Sequence, residues 1–171
     1  KSITCRTLRG YGETPVNAHY FEDLVNMLRN KPEQFKKRVL KGSYWKKEVN
    51  EMKFDAIVGN PPYQISDGGN NASALPIYHI FVETAKNLNP SCISMIFPAR
   101  WFTGGRGLDE FRDRMLHDDR LSKIHDFPNG NDCFSNVEIN GGICYILWEK
   151  NHSGDCLVVT HEKGQTKSSV R

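Results

Sequence analysis

The sequence predicts an α/β fold in which helices lie on the faces of a mixed, mostly parallel sheet. Residues 54–58 form a short apolar run that stops at a glycine and two prolines, which is typical of a strand. Residues 77–88 carry apolar side chains at helical spacing, and residues 92–97 form a second apolar run. A strand, a helix and a strand in succession form a βαβ unit, whose two strands are parallel neighbours.

The composition is that of an ordinary globular chain, with 25% charged and 38% hydrophobic residues among 171, a length that suits one domain. The net charge of +3 is compatible with a nucleic-acid partner without requiring one. The sequence shows no membrane span and no signal peptide. Its five cysteines include no Cys-x-x-Cys pair, so we expect a reduced, intracellular chain. No metal site is expected, because a zinc cluster needs ligand pairs at short spacing.

The first fifty residues are expected to form a helical lead-in segment. Residues 19–30 have apolar side chains at helical spacing, and this helix should end before Pro32. A second helix is expected from Pro32 to about Leu40, because proline suits the first turn of a helix. The basic cluster Lys36-Lys37-Arg38 in it could contact phosphates, although a solvated helix face explains it more simply.

The segment Asn60-Pro61-Pro62-Tyr63 follows the first strand, at the edge where open α/β sheets bind ligands. Prolines cannot continue a sheet ladder, so the strand should end before Asn60. An aromatic or amide amine is a poor nucleophile because its lone pair is delocalised. The Asn60 side-chain oxygen and the Pro61 carbonyl could accept its two N–H bonds and free that lone pair. The Tyr63 ring could stack on a planar base for about 1–3 kcal/mol. A turn that only closes the strand would leave Asn60 and Tyr63 unexplained.

Further elements are expected after this segment. Residues 64–76 have loop composition and form either a lid, a substrate-contacting loop or an ordinary surface connection. The glycine-rich residues 103–107 do not fit Gly-x-Gly-x-x-Gly, so they are interpreted as a connection, with Arg106 as a candidate for a phosphate contact. A helix at 108–116 and strands at 121–127, 143–148 and 154–160 complete the prediction.

The segment Asn60-Pro61-Pro62-Tyr63 after an apolar strand resembles the catalytic motif of amino-methyltransferases that use S-adenosylmethionine. Its Asn-first form, with residues 54–59 before it, resembles the gamma class of N6-adenine DNA methyltransferases. The resemblance covers roughly residues 50–150 and extends to the methylase module of bifunctional bacterial type II restriction–modification proteins. The segments that carry this second resemblance are residues 98–102, 104–105, 126–128 and 141–142.

The resemblance implies a partial, Rossmann-like S-adenosylmethionine-dependent methyltransferase core. It implies methyl transfer to N6 of an adenine flipped out of double-stranded DNA, within a restriction–modification system. Asn60, Pro61 and Tyr63 would be catalytic, and Pro62 and Phe134 would contact the base. Phe134 would stack opposite Tyr63, unless it is a core phenylalanine. Alternatives are a protein glutamine or an RNA base as the methyl acceptor, or a DNA-binding fragment without catalysis.

Two parts of the family's pattern are not recognisable in the sequence. One is the glycine-rich cofactor motif expected upstream of Asn60, which leaves the cofactor-binding residues unknown. The other is the target-recognition domain expected downstream. Since Lys1 is not a start residue, we expect a fragment of a larger enzyme. Its expected parts are a lead-in at 1–50, the catalytic half of the methyltransferase domain at 51–160, and a tail or linker at 161–171.

The first prediction is that the 171-residue chain by itself folds but binds S-adenosylmethionine weakly or not at all and transfers no methyl group. Such cofactors are held by a glycine loop and a carboxylate that takes the ribose hydroxyls, and affinity needs many contacts to offset the entropy of association. Titration calorimetry checks this, with the full-length protein as the positive control. Micromolar binding to the isolated chain would show that residues 1–53 supply a cofactor site.

Overall fold

A computed structural model describes residues 19–65, 74–134, 139 and 141–170 of the protein. The chain divides into two compact units, residues 1–52 and residues 53–171. This division lies close to residue 50, where the lead-in segment was expected to end. None of the helices among the described residues is long and apolar enough to cross a membrane.

The first unit contains short helices packed through aromatic rings. Helix α1 spans Leu24–Asn30, helix α2 spans Pro32–Val39, and a 3₁₀ helix spans Gly42–Trp45. Pro32 lies in the first turn of α2, as predicted. The Tyr44 ring stacks on His19 with centroids 4.1 Å apart, and the Arg38 guanidinium lies 5.1 Å from the Tyr44 centroid. Arg38 of the basic cluster therefore has a packing role within this unit.

The second unit is built on a mixed sheet. Its strands are β1 Ala56–Gly59, β2 Gln64–Ile65, β3 Leu75–Pro76, β4 Cys92–Pro98, β5 Leu121–Phe127, β6 Ile143–Glu149, β7 Leu157–Glu162 and β8 Gln165–Val170. Among the described residues, six strands join in the order β1-β4-β6-β5-β7-β8, and β2 pairs with β3 separately. Four of the six strands run in one direction, and β6 and β8 run in the other.

Two helices connect the strands and cover one face of this sheet. Helix α3 spans Tyr78–Asn87 and helix α4 spans Asp109–Leu116. Helix α3 connects β1 to β4, and these two strands are parallel neighbours, so the predicted βαβ unit is confirmed. Tyr78 and Phe111 from the helices share one buried cluster with Phe97 and Trp148 from the strands. The core therefore lies between these helices and one face of the sheet.

Strand β1 is apolar in sequence but is not buried on both faces. It is at one end of the strand order, and Val58 is 78% exposed, whereas Ile57 packs against the buried cluster. The apolar run in the sequence does not distinguish burial on both faces from burial on one, because that depends on which elements pack against the strand.

Residues 161–171 differ from the predicted tail or linker. Strand β8 pairs antiparallel with β7, with Glu162 opposite Gln165. Lys163 and Gly164 have φ of 50° and 75° and form a tight turn that reverses the chain. All residues of β8 are exposed, so no alternation of apolar and polar residues marked this strand in the sequence.

Within the predicted 64–76 loop, β2 and β3 form the two ends, and residues 66–73 lie outside the described residues.

A largely buried Lys86–Asp118 ion pair, with Arg120 at its exposed side, ties the helices to the sheet. The Lys86 ammonium at the end of α3 lies 2.7 Å from the Asp118 carboxylate, and their side chains are only 12% and 5% exposed. The indole N–H of Trp148 on β6 donates to the same carboxylate at 2.9 Å, and Arg120 pairs with it at 2.7 Å. Burial alone would raise the pKa of Asp118, but hydrogen bonds from Arg120, Lys86 and Trp148 hold this pKa well below its usual range.

The second prediction is that Asp118→Ala lowers the free energy of unfolding by about 3 kcal/mol, because the buried Lys86 ammonium loses its partner. Urea denaturation of the chain measures this. Asp155→Ala, at an exposed position, is the matched control and should change the free energy by no more than about 0.5 kcal/mol.

The same variant should show a defined pH dependence. Because the pKa of Asp118 is lowered in the folded state, its contribution to stability is present above the pKa of an aspartate in an unfolded chain, about 3.9. That contribution is lost as the pH falls through the folded-state pKa. The stability difference between the parent and Asp118→Ala should therefore be constant from neutral to weakly acidic pH and narrow in strong acid. A difference that stays constant in strong acid would assign the loss to packing alone.

Candidate active site

A cleft of about 1030 Å³ opens at the carboxyl ends of β1 and β4. Its lining includes the Asn60-Pro61-Pro62-Tyr63 segment after β1, Arg100 and Arg106 after β4, and Phe134 before β6. The structure thus brings together all the site residues predicted from the sequence. Phe134 is distant from Asn60 in the chain, and only the fold makes the two side chains neighbours of one cavity.

The Asn60-Pro61-Pro62-Tyr63 segment is anchored at both ends. Gly59, the last residue of β1, pairs with Met95 of β4, and the strand ends there as predicted, because the following prolines have no N–H group. At the other end, the Tyr63 carbonyl accepts a hydrogen bond from the backbone N–H of Ile77 at 3.0 Å. Pro61 is buried and Asn60 is exposed, so the amide is accessible while the adjoining backbone is fixed.

Tyr63 and Asn60 interact directly. The Tyr63 ring is half-buried and packs against the buried cluster of the second unit. Burial raises the pKa of the Tyr63 hydroxyl, as do the nearby Cys133 and Cys144 thiols, while a hydrogen bond with the Asn60 side chain acts in the opposite direction. The hydroxyl therefore stays protonated at neutral pH, and the ring is an uncharged surface beside the amide.

Phe134 reaches the cleft from a short 3₁₀ turn after β5. This turn spans Gly130–Asp132, and the Asn129 side chain caps it by accepting the Asn131 N–H at 3.1 Å. The Phe134 N–H donates to the Gly130 carbonyl at 2.8 Å, which fixes the backbone at the aromatic residue. Phe134 is half-buried and lies outside the buried cluster of the described residues. Its placement fits a cleft wall better than the core.

Gly142 brings the chain segments at this edge into close contact. Its φ is 76°, and a β-carbon there would lie 2.6 Å from the Phe127 carbonyl oxygen. Its own carbonyl accepts a hydrogen bond from the Ala99 N–H at 3.1 Å. Only glycine allows both the conformation and the approach, which gives a physical reason for the glycine at position 142. Residues 135–136, whose polar sequence is typical of a turn, lie outside the described residues.

Sequence reasoning assigned no role to Arg100, which the structure places on the cleft wall together with Arg106. Its position directly after the carboxyl end of β4 was the available signal, because functional residues collect at that edge. Among the described residues, the cleft lining includes two guanidinium groups and no carboxylate. The lining is therefore electropositive and suits an anionic ligand.

Comparison with known proteins defines the class. Residues 1–134 match the Eco57I restriction-modification methylase family, and the chain belongs to this family. It is 39% identical over 132 residues to an uncharacterized adenine-specific methylase of Mycoplasma pneumoniae, a match that covers 74% of this chain and 31% of that protein.

Two solved structures are similar to this chain. One is the methyltransferase subunit of a type I restriction-modification system from Streptococcus thermophilus, with a TM-score of 0.50 and 16% identity, covering 71% of this chain and 30% of that one. Another is the type IIG restriction endonuclease BpuSI, with a TM-score of 0.47 and 19% identity, covering 78% of this chain and 16% of that one. The first match confirms the predicted class of a mixed, mostly parallel sheet with helices. The chain spans less than a third of the length of these relatives.

Proposed function

We propose that this chain carries the catalytic site of a DNA methyltransferase, which moves a methyl group from S-adenosylmethionine to N6 of adenine in double-stranded DNA. The observation that carries the proposal is the convergence of the Asn60-Pro61-Pro62-Tyr63 segment and Phe134 on one cleft. Membership of a restriction-modification methylase family supports methyl transfer to DNA. The adenine-specific relative supports adenine as the acceptor, in preference to a protein glutamine or an RNA base.

The acceptor amine would be held by oxygen atoms of the Asn60-Pro61-Pro62-Tyr63 segment. The Asn60 side-chain oxygen and the Pro61 carbonyl each accept one N–H of the exocyclic amine. This pair of hydrogen bonds draws the nitrogen toward tetrahedral geometry and localises its lone pair for attack. Since the interaction strengthens as the amine becomes pyramidal, it lowers the barrier rather than only binding the base. The reaction therefore does not require a general base with a shifted pKa.

The target base would leave the duplex and enter the cleft between aromatic rings. Tyr63 would offer one face and Phe134 the other, with exposed Pro62 at the entrance. A tyrosine hydroxyl is protonated at neutral pH even at its ordinary pKa, and burial raises the pKa of Tyr63 further. The hydrogen bond between the Tyr63 hydroxyl and the Asn60 side chain holds the amide beside the ring. Stacking of the base on an aromatic ring is worth about 1–3 kcal/mol.

The cleft fits the methyl acceptor better than the whole cofactor. When bound, S-adenosylmethionine supplies the electrophilic methyl group. A ribose in such folds is held by a carboxylate, and the described lining of this cleft contains none. We therefore assign the ribose contacts to residues outside this lining. We further propose that other parts of the full-length protein supply the cofactor segment and the target-recognition domain of a restriction–modification enzyme.

The third prediction is that Asn60→Ala in the full-length protein lowers the single-turnover rate of methyl transfer to duplex DNA about 100-fold, as removal of a group that stabilises a transition state does. The dissociation constant for DNA should be nearly unchanged. Transfer of labelled methyl groups to DNA, RNA and protein measures both the rate and the acceptor. Asn151→Ala, at an exposed position after β6, is the control. Equal rates for Asn60→Ala and the parent would show that Asn60 has no role in the mechanism. Labelling of RNA or protein alone would show that DNA is not the methyl acceptor.

The fourth prediction is that Phe134→Ala weakens capture of the flipped base by about 1–3 kcal/mol of stacking. With 2-aminopurine at the target position, the parent should give a clear fluorescence change on binding, and the variant a smaller one.

Thermal unfolding separates this effect from a loss of core packing. A cleft position should leave the melting temperature of Phe134→Ala close to that of the parent. Phe111→Ala, at a position 1% exposed, is the core control and should cost about 3–5 kcal/mol. An unchanged 2-aminopurine signal together with a large loss of stability would show that Phe134 is a core residue and does not contact the base.

A further inference from the structure

Arg100 and Arg106 are two accessible cations on the cleft wall. Both side chains are exposed, and neither forms an ion pair with another residue in the part of the chain that the structure describes. Two other arginines of the same unit differ in this respect: Arg114 lies 3.2 Å from the Glu83 carboxylate, and Arg120 lies 2.7 Å from the Asp118 carboxylate. The two cleft arginines are therefore available to an external anion.

A defined loop presents Arg106 to the cleft. Gly104, Gly105 and Gly107 have φ of 72°, 76° and 80°, and Arg106 between them has φ of 51°, an uncommon value for a residue with a side chain. The Asp109 carboxylate accepts the Gly105 N–H at 2.8 Å and thereby fixes the loop. That carboxylate is engaged by the loop backbone and forms no ion pair with Arg106 among the described residues.

The backbone at Arg100 is fixed in a similar way. Arg100 lies in the 3₁₀ helix Ala99–Phe102, which follows β4 directly. The Arg100 carbonyl accepts hydrogen bonds from the Thr103 N–H at 3.2 Å and the Thr103 hydroxyl at 3.0 Å. The next residue, Trp101, is 1% exposed and belongs to the buried cluster. Both guanidinium groups therefore extend from a backbone that is already ordered, which reduces the entropy lost on binding.

From this arrangement we infer that Arg100 and Arg106 bind backbone phosphates of the DNA strand that carries the target adenine. The inference rests on the proposed function. A nucleotide whose base enters the cleft brings the phosphates on either side of it to the rim of the same cleft. Guanidinium groups match phosphate oxygens in a bidentate geometry and stay charged at all physiological pH values. These contacts would hold the strand in register without reading its sequence.

Salt-dependent DNA binding by the full-length protein tests the inference. At fixed salt, Arg106→Gln and Arg100→Gln should each raise the dissociation constant for a duplex substrate about tenfold, the loss expected for one charge-assisted contact. Each variant should also reduce the slope of log K against log salt concentration by about 0.9, because one phosphate contact is lost. Arg106→Lys should keep the slope while losing part of the affinity, since a point charge still displaces one counterion.

Lys150→Gln is the matched control, because it removes one positive charge at the opposite edge of the sheet. The Lys150 N–H donates to the Ser91 carbonyl, next to the amino end of β4, at 2.9 Å. This variant should have the affinity and slope of the parent. Equal slopes for Arg106→Gln, Arg100→Gln and the parent would overturn the inference.

Neutral phosphate analogues locate the contact. Methylphosphonate replaces the phosphates around the target adenine one at a time. At one of these positions the substitution should weaken DNA binding by the parent. It should cause no further loss of affinity in the variant, Arg106→Gln or Arg100→Gln, that already lacks the contact to that phosphate. If the loss of affinity from the methylphosphonate and the loss from the arginine substitution added together at every position, a direct contact would be contradicted. A raised KM for S-adenosylmethionine with unchanged DNA affinity would reassign the arginines to the carboxylate of the cofactor and overturn the inference.

The same measurements distinguish this inference from the proposed function. A parent protein that methylates duplex adenine while both glutamine variants keep its salt slope would overturn the phosphate contacts alone. A parent protein that neither binds nor methylates DNA would overturn both.

Discussion

The parallel pairing of β1 with β4 is the constraint on which the rest of the site depends. It places the carboxyl ends of two strands at one edge of the sheet, with Gly59 opposite Met95. The prolines that follow Gly59 cannot extend the ladder, so the chain leaves the sheet at Asn60. The segment after β4 leaves at the same edge and carries Arg100. A cleft with an amide on one side and a guanidinium on another is a consequence of that register.

The apolar core and the site occupy different parts of the second unit. Helices α3 and α4 cover one face of the sheet and share a cluster of buried side chains with it. The largely buried Lys86–Asp118 pair joins the end of α3 to the segment before β5. These contacts belong to the scaffold, whereas the cleft is formed by connections beyond the strand ends. Substitutions in the two regions are therefore expected to separate effects on stability from effects on ligand binding.

The connections around the cleft are irregular but well hydrogen-bonded. The loop that carries Arg106 is held by Asp109, the turn that carries Phe134 is held by Gly130, and Gly142 allows the close approach of Phe127. Each of these residues orders backbone rather than contacting a ligand. Such ordering matters at a site of this kind, because side chains that are already positioned lose less entropy when a substrate binds.

The sequence by itself determined the elements whose signals are local. The βαβ unit and β5 follow from apolar runs and helical spacing, and the end of β1 follows from the prolines. The chemistry of the Asn60-Pro61-Pro62-Tyr63 segment was also readable, because its four residues are adjacent. Only the tertiary structure decided what depends on distant contacts. It showed that β1 is exposed on one face, that residues 165–170 form a strand, and that Phe134 and Arg100 line the same cleft as Asn60. These features have no local signal, since burial and convergence are set by the packing of segments far apart in the chain.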